Sequence, residues 1–198
     1  MARTRAADYD DKRQAILDRS ASVFAEHGVD RASMAQVATY CGVSKALLYH
    51  YYDSKEELLV DIIRSHLEEL DAALAAVDDP ALPPERRLRL LIGQVLESYR
   101  DADHHHKVQI DGMKTLPSDK ADELKALERS IVGRVSAVLL EVNPNLDASR
   151  PLLKPVTMSL FGMLNWVFMW FRPEGGLTRE EYADLATTLI LEGVRAVK

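Results

Sequence analysis

The chain has 198 residues, 28% of them charged and 47% hydrophobic, with a formal net charge of −6. That length fits one or two small domains, and the acidic balance excludes a protein that coats nucleic acid through a broadly basic surface. Cys41 is the only cysteine, so no internal disulfide is possible and a reducing compartment is expected. The N-terminus runs straight into charged residues without the apolar stretch of a secretory signal. The apolar run Leu160 to Phe171 is shorter than the ~20 residues a spanning helix needs. The expected location is therefore cytoplasmic, with no membrane partner. The charge is unevenly placed. Residues 1–55 hold eight Lys/Arg against seven Asp/Glu, whereas residues 56–198 hold 17 against 24. A DNA-binding surface, if present, has to be small and N-terminal.

Glycine and proline are sparse and fall between segments of helical periodicity, so the chain reads as all-α. The first helix is predicted from about Asp11 to His27, with Ile16, Leu17, Ser20, Ala21 and Phe24 on one stripe and Gly28 as its stop. Arg3 and Arg5 precede it as a charged tail, or as a basic arm for a minor groove. Ser33-Met34-Ala35-Gln36 has the form of a capping box and starts a second helix. Gly42-Val43-Ser44 ends it with a turn glycine and a new N-cap, giving a third helix at Lys45–Tyr51. Ser54-Lys55-Glu56-Glu57 is a second capping box, and Leu58, Leu59, Ile62, Ile63, His66 and Leu70 carry a long fourth helix onward. Further helices are predicted around 86–100, 104–115, 118–142, 149–171 and 178–197, about nine in all, punctuated by prolines and by Gly175-Gly176.

Two short helices joined by a glycine turn form a helix-turn-helix, whose second helix enters the major groove. Val37-Ala38, Gly42-Val43-Ser44, Leu48-Tyr49-His50-Tyr51-Tyr52 and Ser54-Lys55-Glu56-Glu57-Leu58-Leu59 resemble the N-terminal signature of the TetR family, and with Ala21, Phe24 and Gly28 the resemblance covers residues 12 to 60. It implies an N-terminal DNA-binding domain, 1–55, joined by a long helix to a ligand-binding and dimerisation domain, 56–198. Val37, Ala38, Val43, Leu48 and Tyr52 are assigned to the core. Lys45 is the first candidate for reading a base, since a lysine donates to guanine O6 and N7. Ser44, Ala46 and Leu47 are its neighbours and could touch bases or a thymine methyl, and Ser33 at the start of the second helix is also assigned to DNA; Ala46-Leu47 departs from the Gly/Pro-Thr frequent there. Tyr49, His50 and Tyr51 carry phosphate-donor chemistry, a role the family assigns to Tyr49. Lys55, at the positive end of the fourth helix, is a phosphate clamp by family precedent.

The helix Pro155 to Phe171 is apolar nearly all round and has to be covered on both sides. An identical subunit can supply one side, with Leu185, Leu189 and Val194 of the last helix completing a four-helix seam. Asn165 is the odd amide in that run and needs hydrogen-bond partners. A ligand cavity is expected from Asn165, Trp166 and Trp170 with Tyr99, Gln109 and Met113 from facing helices; ordinary core packing is the alternative. Phe161-Gly162-Met163-Leu164-Asn165-Trp166 resembles a segment of TetR-type regulators of acyl-CoA catabolism, which implies an acyl-CoA effector, with Lys107 and Lys114 the nearest cations for its phosphates.

His104-His105-His106, beside Asp101 and Asp103, invites a metal reading. Consecutive helical residues point ~100° apart and lack regular ligand spacing, so no metal is expected. One of these histidines could instead contact a polar effector. No histidine follows a glutamate by three residues, and Gly-x-Ser-x-Gly, His-Glu-x-x-His and phosphate-binding glycine loops are absent. Neither a helical-bundle enzyme nor a cofactor is expected. The reading is a dimeric, ligand-responsive repressor that binds a double-stranded operator, the alternative being a DNA-binding factor without effector.

Overall fold

The computed structural model describes residues 2–100, 102–148, 151–172 and 174–197, and side chains from Tyr9 onward. Among the described residues there are ten α-helices and no strand: α1 (Ala2–His27), α2 (Met34–Cys41), α3 (Lys45–Tyr51), α4 (Lys55–Val77), α5 (Pro84–Ser98), α6 (Asp103–Gly112), α7 (Ser118–Val142), α8 (Leu153–Asn165), α9 (Val167–Trp170) and α10 (Arg179–Ala196). Single 3-10 turns follow α6 and α7. The all-α expectation holds. The extra helix arises because the predicted 149–171 helix is broken at Trp166, whose backbone (φ −95°, ψ 1°) leaves the α-helical path. The side chains of Arg3 and Arg5, together with Asp101, lie outside the described residues.

Packing divides the chain into two compact units, one of residues 1–67 with 101–125 and the other of 68–100 with 126–198. In the first, α1 packs against α2 and α6. Leu17, Ala21, Val37, Leu48, Leu58, Ile62 and Ile63 are almost completely buried and form its core. Burying a side chain of that size contributes about 1.5–3 kcal/mol, which is how the seven-residue α3 persists although an isolated helix so short would not. Gly112 ends α6 tight against α4: a Cβ there would stand 2.8 Å from Leu59 Cδ1.

In the second unit, α10 packs on α5 and α8. Leu88, Leu91, Val95, Leu139, Leu160, Ala183 and Ala186 fill its centre. Arg87 is buried and bridges Asp78 (2.8 Å) to Glu141 (2.7 Å). Asn143 donates from Nδ2 to the carbonyls of Val194 (2.7 Å) and Val197 (3.0 Å), closing the end of α10. Val194 is itself buried within this unit, so it is removed from the expected subunit seam.

Three imidazoles meet in the first unit. His66 of α4 stacks on His105 of α6 with ring centroids 5.9 Å apart, and His106 approaches it edge-on at 6.2 Å. His105 in turn lies 3.3 Å from Asp18 and His104 lies 3.0 Å from the Ser22 hydroxyl, so the histidine run stitches α6 to α1 and α4. Among the described residues no group of three or more metal-ligating side chains is arranged to hold an ion. Burial, and then the neighbouring His105 and His106, hold the His66 pKa down to about 3. An unfolded histidine takes its proton near pH 6.5. Between those values the unfolded chain binds the extra proton, so His66 favours the fold fully above pH ~6.5 and loses that contribution as pH falls toward 3, by at most ~1.4 kcal/mol per pH unit. Urea unfolding at pH 7 and pH 5 should show lower stability at pH 5, and His66→Gln should flatten that difference; an equal drop in the variant would assign it elsewhere.

Candidate DNA-reading and effector sites

The helix-turn-helix is built from local bonds. The Ser33 hydroxyl accepts from the Gln36 N–H (3.3 Å), while Gln36 Oε1 accepts from the Ser33 N–H (2.9 Å), completing the predicted capping box. Gly42 takes the left-handed conformation (φ 69°), and the N–H of Val43 reaches the Ala38 carbonyl at 3.0 Å. That closure requires a positive φ, which glycine adopts without the Cβ penalty. Ser44 then caps α3 by accepting from the Leu47 N–H (3.1 Å). A serine cap of this kind contributes ~1 kcal/mol. At α4, Ser54 accepts from the Glu57 N–H (3.1 Å), but Glu57 Oε2 accepts from the N–H of Asp53 (3.0 Å) rather than that of Ser54. The second box is displaced by one residue.

On α3, Lys45, Ala46, Leu47, Tyr49 and His50 are exposed, and Ser33 and Ser44 are exposed at the helix starts. Lys45 Nζ stands 5.7 Å from the centre of the Tyr49 ring, a spacing at which the ring face attracts the ammonium. Tyr51 differs from its neighbours: it is half-buried and stacks on Tyr9 of α1, with centroids 4.8 Å apart and planes inclined by 23°. Beneath it, Lys12, Ala15, Ile16, Cys41, Val43, Leu47 and Tyr51 surround a small cavity of about 140 Å³. Burial pushes the Cys41 thiol pKa up, which disfavours thiolate chemistry.

Tyr52 is buried as expected, and its hydroxyl finds a partner that the sequence did not single out. It donates to Asp61 Oδ2 at 2.6 Å, while Arg13 Nη2 donates to both oxygens of Asp61 at 2.6 Å and Arg64 stands 3.7 Å away. Asp61 is only 8% exposed. Burial, reinforced by that carboxylate, pushes the Tyr52 pKa well above the usual phenol value, so the hydroxyl stays a donor. The one available signal was an acidic residue inside the otherwise apolar Leu58–Ile63 run.

Lys55, expected as a phosphate clamp, is bonded within the protein. Its ammonium donates to the carbonyls of Val29 (2.7 Å), Asp30 (3.2 Å) and Ala32 (3.1 Å), using the three hydrogens it has. Lys107 is similarly committed to the Ala25 carbonyl at 2.7 Å, and Lys114 pairs loosely with Asp111 at 3.9 Å.

Four of the six expected effector residues, Tyr99, Asn165, Trp166 and Trp170, belong to the second unit. In the second unit the buried Tyr99 hydroxyl donates to Asn165 Oδ1 at 3.0 Å, giving the odd amide its partner. Trp166 and Trp170 do not share a helical face, since the break falls at Trp166. Trp166 meets Phe168 edge-on and is 54% exposed, and Trp170 meets the Tyr182 ring at 5.0 Å and is 47% exposed. Gln109 and Met113 belong to the other compact unit.

The Asp61 network makes a definite stability prediction. Tyr52→Phe removes one charge-assisted bond while keeping the ring, and should cost ~1.5–3 kcal/mol in urea unfolding without altering the salt dependence of DNA binding. A neutral substitution would show that the hydroxyl is not holding α3 to α4.

Comparison with known proteins matches both halves of the chain. Residues 16–62 fit the family described as bacterial regulatory proteins, tetR family, and residues 81–194 fit the tetracyclin repressor-like C-terminal domain. A TetR-family transcriptional regulator from Bordetella parapertussis has a solved structure with TM-score 0.85 and 32% identity, over 91% of this chain and 94% of that one. The HTH-type transcriptional repressor KstR2 of Mycobacterium tuberculosis is 25% identical over 96% of both chains. AibR, solved in complex with isovaleryl coenzyme A and operator DNA, shares the fold with TM-score 0.78 at 24% identity, over 90% of this chain and 97% of that one. With a family model spanning residues 81–194 and a second on the helix-turn-helix, this chain belongs to the TetR family of transcriptional regulators.

Proposed function

We propose that this TetR-type repressor binds a palindromic operator as a homodimer through residues 1–55 and is released by a small effector bound within residues 56–198. The observation that carries the DNA-reading half is the face of α3, where Lys45, Ala46 and Leu47 follow a serine cap and stand exposed. Lys45 is assigned to a base edge, with Ser44 and Ala46 beside it. Tyr49, His50 and Ser33 are assigned to phosphates, and Tyr51 divides between phosphate and its stack on Tyr9.

Dimerisation is supported by Met158, Met169, Leu185 and Leu189, large apolar side chains left 48%, 58%, 47% and 56% exposed on α8, α9 and α10. Apolar surface gathered in this way marks an interaction site, and a two-fold pairing of α8 and α10 would cover it. The effector is assigned to the acyl-CoA class, supported by the isovaleryl coenzyme A with which AibR was solved and by the Asn165 segment. Tyr99 and Asn165 supply the polar handle, since an effector group that bonds Asn165 has to compete with the Tyr99 hydroxyl. Of these two, Tyr99 is the more deeply buried.

Repression and release require the effector to prefer the form that does not fit DNA. Two reading heads meet successive major grooves when they stand about 34–36 Å apart. A shift transmitted along α4 would move them off that spacing, and the 1–3 kcal/mol typical of such coupling corresponds to a loss of about 5- to 150-fold in operator affinity.

Native mass spectrometry of the purified protein should show a dimer, with acyl-CoA co-purifying or binding when added, and added acyl-CoA should weaken operator binding in an anisotropy titration. A stable monomer would remove the two-site mechanism. Release by no acyl-CoA would leave the effector-independent reading in its place. On DNA, Lys45→Ala should relax preference at one position of each half-site by about 1–3 kcal/mol; a uniform loss across sequences would reassign Lys45 to the phosphate backbone.

A further inference from the structure

The segment between α1 and α2 has no regular structure of its own, yet it sets the direction in which α2 leaves α1. Three of its carbonyls, those of Val29, Asp30 and Ala32, turn toward one point and are met there by the ammonium of Lys55, at 2.7, 3.2 and 3.1 Å. Lys55 is half-buried in the first turn of α4. An ammonium has three N–H donors and no more. A phosphate can bond the Lys55 ammonium only by displacing one of these carbonyls.

The Ala32 carbonyl is the critical one. It belongs to the same peptide unit as the N–H of Ser33, and that N–H donates to Gln36 Oε1 at 2.9 Å. Both polar ends of this peptide are thus held, one by α4 and the other by α2 itself. A peptide is planar, so holding both ends fixes the plane at the α2 N-cap. The Ser33 hydroxyl closes the same cap, accepting from the Gln36 N–H at 3.3 Å and donating its one hydrogen to Gln36 Oε1 at 3.0 Å.

Resting on the DNA-binding reading above, we propose that Lys55 is a positioning residue that seats the N-terminus of α2 against the operator backbone, its ammonium held by protein carbonyls instead of a phosphate. Its effect on DNA passes through the α2 N-terminus that Ser33 caps. The positive charge stays behind the α1–α2 connection as part of the head, and the contact with the operator is made by the residues it orients.

The test uses the full chain, a 30-base-pair duplex selected by this protein from a random library, and anisotropy titrations between 50 and 200 mM salt. Lys55→Met keeps an unbranched side chain and removes the donors. Ser33→Ala and the double variant complete a cycle, with helical content checked by circular dichroism. Lys55→Met should weaken binding about tenfold, the size of one lost charge-assisted bond, with the salt slope unchanged. Ser33→Ala should cost affinity in the wild type and little more in the Lys55→Met background. A slope reduced by about one unit, with the two losses adding in full, would overturn the proposal and return Lys55 to the phosphates. Should Lys55→Met fold poorly, Lys55→Arg decides: the planar guanidinium keeps the charge but cannot serve three carbonyls that converge on one point. Positioning predicts weaker binding for Lys55→Arg at the same slope, whereas a direct phosphate contact predicts affinity retained. A wild type that binds no duplex would instead refute the DNA-binding reading itself.

Discussion

The reading head depends on a carboxylate taken out of water. Asp61 lies in α4 among Leu58, Leu59, Ile62 and Ile63, and a charge there is tolerable only because Arg13 and Tyr52 bond it and Arg64 stands near. Those partners come from α1, from the residue that ends α3, and from α4 itself. Apolar contacts such as Leu48 against its neighbours resist separation but permit rotation and sliding. Bonds from two different elements to one carboxylate do not. The orientation of α3 on α4 is therefore set by direction as well as by contact, and any movement of α4 carries the recognition helix with it.

A second constraint concerns where the positive charge goes. Residues 1–55 hold eight Lys/Arg, which looks like a supply of phosphate contacts. Much of it is committed to the protein's own backbone: Arg19 donates to the Cys41 carbonyl at 2.7 Å, Arg31 to that of His27 at 2.9 Å, and Lys55 to three carbonyls of the α1–α2 connection. Helix ends present bare carbonyls and the negative end of the dipole, and cations placed there are stabilising. Charge counted along a sequence thus overstates what is available to DNA.

The elements that were legible in the sequence are those with local causes. Ser33 with Gln36, Gly42 with Val43 and Ser44, and the periodicity of α4 each act within a few residues, and α3 and α7 have the bounds these signals predict. The break at Trp166 was not read from the sequence, because Phe161–Phe171 is almost uniformly apolar and Asn165, the residue that ends α8, was taken for a ligand contact and not for a helix end. Lys55, Arg13 and Asp61 were opaque for a different reason. The carbonyls that Lys55 meets and the Arg13–Asp61 pair span 23 to 48 residues of chain, and a residue's type states what it can bond to without stating what will be in reach. Tyr52 falls between the cases: burial and the need for a hydroxyl partner were readable, the identity of the partner was not.

The brevity of α3 bears on the proposed second copy. Its seven residues leave Lys45, Ala46 and Leu47 exposed on the first turn, and a single good bidentate base contact discriminates by about 1–3 kcal/mol. A specific site has to outcompete non-specific DNA by about 4–10 kcal/mol. One head with so few base-facing side chains falls short of the upper part of that range, and the acidic remainder of the chain adds no general attraction to make up the difference. Two heads on the proposed dimer would double the discriminating contacts without doubling the cost of association. In the proposed dimer, the apolar side chains left open on α8, α9 and α10 and the short α3 answer the same requirement, and an effector would need to disturb only the spacing between heads, leaving each one intact.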